Sequence, residues 1–223
     1  MSSIAISKGN AGHGIGSGSV RNRTLLERSI KRAIDIVGAG AAMLMLSPVL
    51  LIASAFVKLA DGGPVLYRRR VIGEKGEFDA YKLRTMRVDA DRILQSNPEL
   101  RAEYERSFKL RSDPRITKVG AVLRKFSLDE LPQLFNVLTG QMSLVGPRMI
   151  TAPELEKYGE RKDILRSVKP GLTGYWQVNG RQHTSYDERV KLDTYYIEQW
   201  TLLLDLKILF ATPIKVLRGE GAY

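Results

Sequence analysis

Two neighbouring carboxylates, Asp129 and Glu130, are the residues of this chain best suited to chemistry. They lie in the stretch RKFSLDELPQLFNVLTGQMSLVGPR, residues 124–148, which has arginine near both ends. Metal-assisted phosphate chemistry needs this combination, because a carboxylate holds a cation or attacks phosphorus while cations neutralise the phosphate oxygens. The pattern also has a purely structural interpretation, since Ser127 and Glu130 fit the S-x-x-E capping box that begins a helix. On local sequence alone, the cap is favoured over an active site.

The two interpretations are compatible with each other. A helix capped by Ser127 would place Asp129 and Glu130 in its first turn, where the helix dipole favours anions. The sequence therefore predicts that the cap aims the pair and that both carboxylates are ionised.

Bulk composition limits the partners and reactions that are open to the chain. Its 223 residues are enough for one substantial domain. With 35 basic and 24 acidic residues the formal charge is +11, which favours nucleic acid, an anionic membrane surface or a phosphorylated substrate. The absence of cysteine excludes disulfides, cysteine zinc sites and thiol catalysis. Because only His13 and His183 are present, a Ser-His-Asp hydrolase and a multi-histidine metal site are both disfavoured.

The N-terminal part consists of a polar tail and a long apolar segment. Residues 1–24 are rich in Gly and Ser and bury too little apolar surface to order themselves, which predicts a flexible tail. Residues 25–60 have a helical pattern and carry no charge between Ile36 and Val57. About 20 apolar residues are enough to cross a bilayer, so this segment is predicted to enter the membrane.

Two features of the apolar segment argue against a simple span. Ser47 and Pro48 lie near its midpoint, where proline bends or breaks a helix. Basic residues flank the uncharged stretch on both sides, with Arg28, Lys31 and Arg32 before it and Lys58, followed by Arg68, Arg69 and Arg70, after it. By the positive-inside rule, both ends then prefer the cytoplasmic face. The sequence predicts, with equal weight, a re-entrant helix-break-helix or a kinked span, and favours a buried soluble helix less.

Residues 61–223 are predicted to form the remaining domain, which contains a short β-hairpin. β-favouring residues lie on both sides of the turn GEKG, residues 73–76. The hairpin brings Lys82 and Arg84 close together, as solvated edge charges or as phosphate ligands. Residues 88–110 are predicted to form a polar helical pair that is interrupted at Asn97-Pro98.

Four further segments complete the chain. Residues 151–169 have the composition of a charged helix, and residues 169–181 are either a turn cluster or a glycine-rich ligand loop. Ser185 and Glu188 form a second capping box, which predicts a helix that continues to about residue 200. Residues 201–219 are either a core helix or an amphipathic helix on the membrane surface.

Several motifs, in this order, resemble one family over residues 25–223. They are Lys31-Arg32 with Asp35, Ser47-Pro48, YKLRTM at 81–86, the run SDPRITKVG to LVGPR at 112–148, KPGLTGYWQVNGR at 169–181, LDLKIL at 204–209 and GEGAY at 219–223. This series closely resembles the bacterial sugar transferases, the monotopic polyprenyl-phosphate phosphoglycosyl transferases. One departure is Met149, where the family usually has a second proline after Gly-Pro-Arg.

The resemblance assigns roles to specific positions. Asp129 is similar to the nucleophile that attacks the β-phosphate of a UDP-sugar and releases UMP, and Glu130 to the ligand of Mg²⁺. The remaining matched positions are listed by role: Arg124, Lys82 and Arg84 for phosphate binding, Pro147 and Arg148 for the nucleotide, and Ser47 and Pro48 for the break in the membrane helix.

The resemblance also implies an activity and a location. It implies transfer of a hexose 1-phosphate, galactose or glucose, from a UDP-sugar to undecaprenyl phosphate as the first membrane step of exopolysaccharide synthesis. The implied fold is α+β and mostly helical, with a re-entrant membrane helix-break-helix, a small cytosolic catalytic domain that contains the short β-hairpin, and amphipathic helices on the membrane surface. The enzyme would lie on the cytoplasmic face of the bacterial inner membrane, in contact with lipid. Two hypotheses of another class are a basic module on nucleic acid, for which no recognised fold is present, and a non-catalytic membrane scaffold.

Overall fold

The structure is a computed structural model that describes residues 23–107, 110, 112–179 and 185–217. Residues 1–22 of the predicted tail lie outside the described residues, and so does His183. The described chain is mostly helical and has two small two-stranded sheets, which confirms the mostly helical α+β class.

The described chain begins with one long helix, continues into a hairpin and then consists mainly of short helices. The elements are α1 (Leu25–Asp61), β1 (Leu66–Gly73), β2 (Gly76–Leu83), α2 (Ala90–Gln95), α3 (Pro98–Ser107), α4 (Lys118–Lys125), α5 (Gln133–Leu138), β3 (Ser143–Val145), α6 (Ala152–Leu155), α7 (Lys162–Arg166), β4 (Gly171–Thr173), α8 (Tyr175–Asn179), α9 (Tyr186–Glu198) and α10 (Leu202–Leu217). Helices α2 and α3 confirm the polar helical pair and its interruption at Asn97-Pro98.

Helix α1 contains the predicted apolar segment. It begins at a capping box, in which the Thr24 hydroxyl accepts a hydrogen bond from the Glu27 N–H and the Glu27 carboxylate accepts one from the Thr24 N–H. It ends at Gly62, whose φ of 71° is a left-handed conformation that suits glycine. Among the described residues, α1 is the helix long and apolar enough to cross a membrane, and only 11% of its most apolar stretch is buried. This low buried fraction is unlike that of a soluble core helix.

Helix α1 continues through Ser47 and Pro48, so the structure shows no division into two helices there, and the choice between a re-entrant and a kinked helix stays a prediction. Proline has no N–H to donate to the carbonyl four residues earlier, which belongs to Leu44. The Ser47 hydroxyl donates to that carbonyl oxygen at 2.8 Å and replaces the missing bond. The Ser-Pro pair therefore marks a weakened point within a continuous helix.

Both ends of α1 contact the same folded body. Near its start, Asp35 accepts a hydrogen bond from the Ser143 hydroxyl at 2.9 Å. Near its end, Val57 and Leu83 belong to one buried apolar cluster. The middle of the helix presents exposed apolar side chains, namely Leu44, Met45, Leu51, Ile52 and Phe56.

The hairpin has the predicted strands and is fixed against helix α5. Strands β1 and β2 pair antiparallel, with Tyr67 opposite Lys82. Asn136, which is fully buried, donates to the Asp79 carbonyl at 2.8 Å and accepts from the Tyr81 N–H at 3.0 Å. Because these two bonds fix the β2 backbone just before Lys82, that residue is held close to the segment that precedes α5.

Two predictions for residues 151–181 are wrong. The predicted charged helix over 151–169 is divided into α6, a 3-10 turn at 156–161 and α7, because Gly159 has a φ of 52° that no helix accommodates. Over 169–179, the predicted turn cluster or ligand loop is a buried strand and helix, β4 and α8, and β4 pairs parallel with β3. Residues 180 and 181 lie outside the described part of the chain.

Helices α9 and α10 close the fold. The Ser185 and Glu188 capping box is present and confirms the start of α9. Helix α10 combines features of both predictions, because Ile208 is fully buried in the main core while Phe210 is 77% exposed. Its exposed apolar side chains are Leu203, Leu206, Phe210 and Ile214.

Candidate active site

The carboxylate pair lies in a tight turn between α4 and α5. Ser127 has a φ of 54°, a left-handed conformation, and its side chain makes no capping hydrogen bond. Its carbonyl accepts from the Glu130 N–H at 3.3 Å, which closes the 3-10 turn formed by residues 128–130. The predicted capping box at Ser127 is therefore wrong, because a left-handed residue reverses the chain instead of starting a helix. The turn, and not a helix start, positions Asp129 and Glu130.

Close packing of α4 brings Arg124 to this turn. A Cβ atom at Gly120 would lie 2.0 Å from the Thr85 carbonyl oxygen, so only glycine allows α4 to approach the chain this closely. Arg124 follows one helical turn later, and its Nε donates to the Thr85 hydroxyl at 2.9 Å. Burial lowers the pKa of this guanidinium, whereas the nearby charge of Asp129 raises it.

Glu130 is an ionised carboxylate in a positive surrounding. Its Oε1 accepts from Lys82 Nζ at 2.6 Å. Burial favours the protonated acid, but the positive charges of Lys82, Arg148 and Arg69 outweigh it and lower the pKa of Glu130 to about 2.

The pKa of Asp129 is shifted in the opposite direction from that of Glu130. Its side chain is 7% exposed, and burial raises its pKa above the usual range even though Lys82 and Arg124 oppose the shift. Burial, and not a helix dipole, therefore dominates the shift in the pKa of Asp129. Two adjacent carboxylates with pKa values moved in opposite directions are typical of sites that assign them different tasks.

Arg84 does not join this group. It forms an ion pair with Asp61 at the end of α1, and its Nε donates to the Pro64 carbonyl at 2.6 Å. Within the described residues, no contact links Arg84 to Asp129 or Glu130. Its contacts fasten α1 to the hairpin, and its role as a phosphate ligand stays a prediction.

The Gly-Pro-Arg turn follows β3 and faces the carboxylate pair through Arg148. A Cβ at Gly146 would lie 2.6 Å from the backbone of Gly171, so glycine is required where β3 meets β4. The Pro147 carbonyl accepts from the Gly171 N–H at 2.8 Å. The Arg148 guanidinium lies 5.2 Å from the centre of the Trp176 ring, within the range of a cation–π contact. Met149, at the position of the usual proline, is 4% exposed and packs in the main core.

Two residues near the pair were not predicted from sequence. Arg69 of β1 contributes to the low pKa of Glu130, although the three arginines at 68–70 gave only a signal for membrane orientation. Trp176 holds Arg148 from within the segment 169–181, where the aromatic content was the available signal.

The pair also fits a divalent cation that is shared with a substrate. In the described part of the chain, no group of three or more His, Cys, Asp or Glu side chains is arranged to hold a metal. Magnesium is usually bound by one or two carboxylates together with substrate phosphates, so Glu130 with Asp129 beside it would hold it only jointly with a substrate, and the predicted magnesium site stays a prediction.

These features define a protein with a membrane-compatible helix and a buried carboxylate site suited to phosphate chemistry. A model of the family described as bacterial sugar transferase matches residues 26–219. The chain belongs to the bacterial sugar transferase family.

Curated relatives extend this similarity. The chain is 48% identical over 201 residues to an undecaprenyl-phosphate galactose phosphotransferase of Salmonella typhimurium, which covers 88% of this chain and 42% of the relative. It is 46% identical over 198 residues to the exopolysaccharide production protein ExoY of Sinorhizobium fredii, and the match covers 86% of this chain and 88% of the relative. It is 39% identical over 208 residues to a UDP-glucose:undecaprenyl-phosphate glucose-1-phosphate transferase of Escherichia coli, and the match covers 89% of this chain and 42% of the relative. The chain thus spans less than half of the first and third relatives.

Proposed function

We propose that the protein transfers a hexose 1-phosphate, galactose or glucose, from a UDP-sugar to undecaprenyl phosphate and releases UMP. The observation that carries this proposal is the arrangement of a buried Asp129 directly beside Glu130, with Lys82 bound to Glu130 at 2.6 Å. Glu130 is bound to Lys82 and stays ionised, while Asp129 is buried beside Arg124 without a salt bridge among the described residues. Relatives named for galactose and glucose phosphotransfer support the same chemistry.

In the first step, a carboxylate oxygen of Asp129 attacks the β-phosphorus of the UDP-sugar. The bond from that phosphorus to the oxygen bridging to the α-phosphate breaks, and UMP leaves with the bond's electron pair. Arg124 and Lys82 lie beside the carboxylate pair and would neutralise the phosphate oxygens that gain charge. A carboxylate removed from water is also a more reactive nucleophile than a hydrated one.

In the second step, an oxygen of undecaprenyl phosphate attacks the phosphorus of the aspartyl-phosphosugar. The bond to Asp129 breaks, the free carboxylate is restored, and the lipid carries a sugar diphosphate. Two displacements allow a water-soluble donor and a lipid acceptor to use the site in turn. Magnesium held by Glu130 and the diphosphate would supply further neutralisation of charge when it is bound.

The position of α1 supports a re-entrant topology for this enzyme. Both ends of the helix contact the same folded body, through Asp35 at one end and Val57 at the other. In the membrane the helix would bend at the weakened Ser47-Pro48 point, so that its exposed apolar middle enters one leaflet and returns to the same face. With basic residues on both flanks, that side is the cytoplasmic face of the inner membrane.

The test is a UMP-release assay with undecaprenyl phosphate, Mg²⁺ and a panel of UDP-sugars. We expect UMP release with one hexose donor and none from Asp129→Asn, whereas the control Asp89→Asn on the surface remains active. Release of UDP in place of UMP, or full activity in Asp129→Asn, would rule out the mechanism.

A further inference from the structure

Two arginines whose charges act on the carboxylate site, Arg69 and Arg148, are each held by a separate partner. Arg69 donates from Nη2 to Glu154 Oε2 at 3.0 Å. The Arg148 guanidinium lies over the Trp176 ring at 5.2 Å from its centre. Glu154 is 5% exposed and Trp176 is 9% exposed, so both holders are buried. The placement of Arg69 and Arg148 therefore depends on groups that lie deeper in the fold.

Arg189 on α9 contacts both holders. Its Nη1 lies 4.0 Å from Glu154 Oε1, and its guanidinium lies 5.3 Å from the centre of the Trp176 ring. Its Nε lies 3.7 Å from Asp193, whose other carboxylate oxygen accepts from the Arg148 N–H at 3.4 Å. The Arg189 guanidinium thus contacts both Glu154, which holds Arg69, and Trp176, which holds Arg148.

A contribution to folding stability is a poor explanation for a buried arginine at position 189. The residue is 8% exposed, and its Nε and Nη2 make no hydrogen bond with any described residue. The indole N–H of Trp176 is likewise buried without a partner among these residues. Buried charges and donors with incomplete hydrogen bonding are costly. Such departures are expected where the arrangement of groups serves function.

We propose that Arg189 is a positioning residue that sets the placement of Arg69 and Arg148 for binding the diphosphate of the nucleotide-sugar donor. The inference rests on the proposed function and deepens it, since Arg189 acts through Glu154 and Trp176 without touching the substrate. Its planar guanidinium contacts a carboxylate and a ring at once. Lysine carries the same charge on one ammonium and has no planar face, so it cannot maintain both contacts.

The test compares Arg189→Lys with the surface control Arg92→Lys in UMP release at varied UDP-sugar concentration. We expect Arg189→Lys to raise KM at least about fivefold with kcat within about twofold, because donor binding loses a correctly placed cation. An unchanged KM in folded protein, or a loss of kcat at constant KM, overturns the inference. Trp176→Phe keeps a ring face that binds cations more weakly, so we expect it to raise KM less than Arg189→Lys does. If Arg189→Lys does not fold, Trp176→Phe serves as the test, and an unchanged KM in that variant overturns the inference.

A binding measurement separates this inference from the proposed function. Calorimetric titration with UMP should give a Kd at least about fivefold higher for Arg189→Lys than for the unsubstituted protein, because Arg69 and Arg148 bind phosphate. Equal Kd values overturn the inference. If the unsubstituted protein releases no UMP from any UDP-sugar, the proposed reaction fails, and the UMP titration still decides the role of Arg189.

Discussion

Lys82 on β2 places its ammonium 2.6 Å from Glu130 Oε1, and this pair joins the hairpin to the turn that holds the carboxylates. Both side chains are largely buried, at 13% and 20% exposure. The ammonium lowers the pKa of Glu130 and also opposes the rise in the pKa of Asp129. One lysine thus influences the ionisation of both carboxylates.

Lys82→Met is expected to move the acidic limb of the pH profile of kcat/KM to higher pH. The nucleophile must be ionised, and loss of a neighbouring positive charge raises the pKa of Asp129 further. Because an acid is ionised only above its pKa, the rate should then rise at a higher pH than in the unsubstituted protein. UMP release measured across a pH series gives this profile. The exposed control Lys191→Met should leave the limb in place, and an equally unshifted limb in Lys82→Met would contradict the assignment.

Asp129→Asn is expected to stabilise the protein at neutral pH while it abolishes transfer. The folded-state pKa of Asp129 is raised, so ionisation destabilises the fold as pH rises above the unfolded-state value. The amide removes this penalty, and we expect a gain on the order of 1 kcal/mol. Below the unfolded-state pKa both forms are neutral, so the gain should disappear there.

Thermal unfolding in detergent at a series of pH values measures this effect. Asp89→Asn is the matched control, because the Arg87 guanidinium lowers the pKa of Asp89 and its ionised form is the favoured one. It should give no gain at neutral pH. A gain in Asp129→Asn that is independent of pH would show that its origin is not ionisation.

Asp205→Ala is expected to separate α1 from α10. The buried carboxylate accepts from Lys31 Nζ at 2.6 Å, from the Tyr196 hydroxyl at 2.7 Å and from Trp200 Nε1 at 3.0 Å. Its removal leaves the Lys31 charge without its partner, at a cost of about 3–5 kcal/mol. Thermal unfolding of the detergent-solubilised protein should show a large loss, whereas the exposed control Arg101→Ala should show almost none. A small loss in Asp205→Ala would mean that the two helices are held by apolar packing alone.

Short sequence patterns correctly predicted the elements that are determined by residues close together in the sequence. The hairpin around GEKG and the capping box of α9 depend on residues within a few positions of each other, and both are present. The Ser127 cap has the same kind of pattern but fails, because the close packing of α4 on Thr85 decides the direction of the chain there. A single S-x-x-E pattern does not contain that tertiary contact.

Contacts distant in sequence explain what was missed at the site. The family resemblance indicated Asp129, Glu130 and Lys82, and the structure brings these residues together. Arg84 lies only two positions after Lys82, yet its guanidinium is directed to Asp61. Spacing along a strand places a side chain on a face but does not identify its partner.

The re-entrant topology predicts which side of the membrane each flank of α1 occupies. The chain has no cysteine, so Ser29→Cys before the apolar segment and Ser96→Cys on the surface after it introduce single reporters. Because both ends of α1 contact one body, we expect an impermeant maleimide to label both variants in inverted membrane vesicles and neither in intact spheroplasts. The cysteine-free parent gives the background. If one variant reacted in vesicles and the other in spheroplasts, α1 would span the bilayer, and the contacts at one of its ends would have to be absent in the membrane.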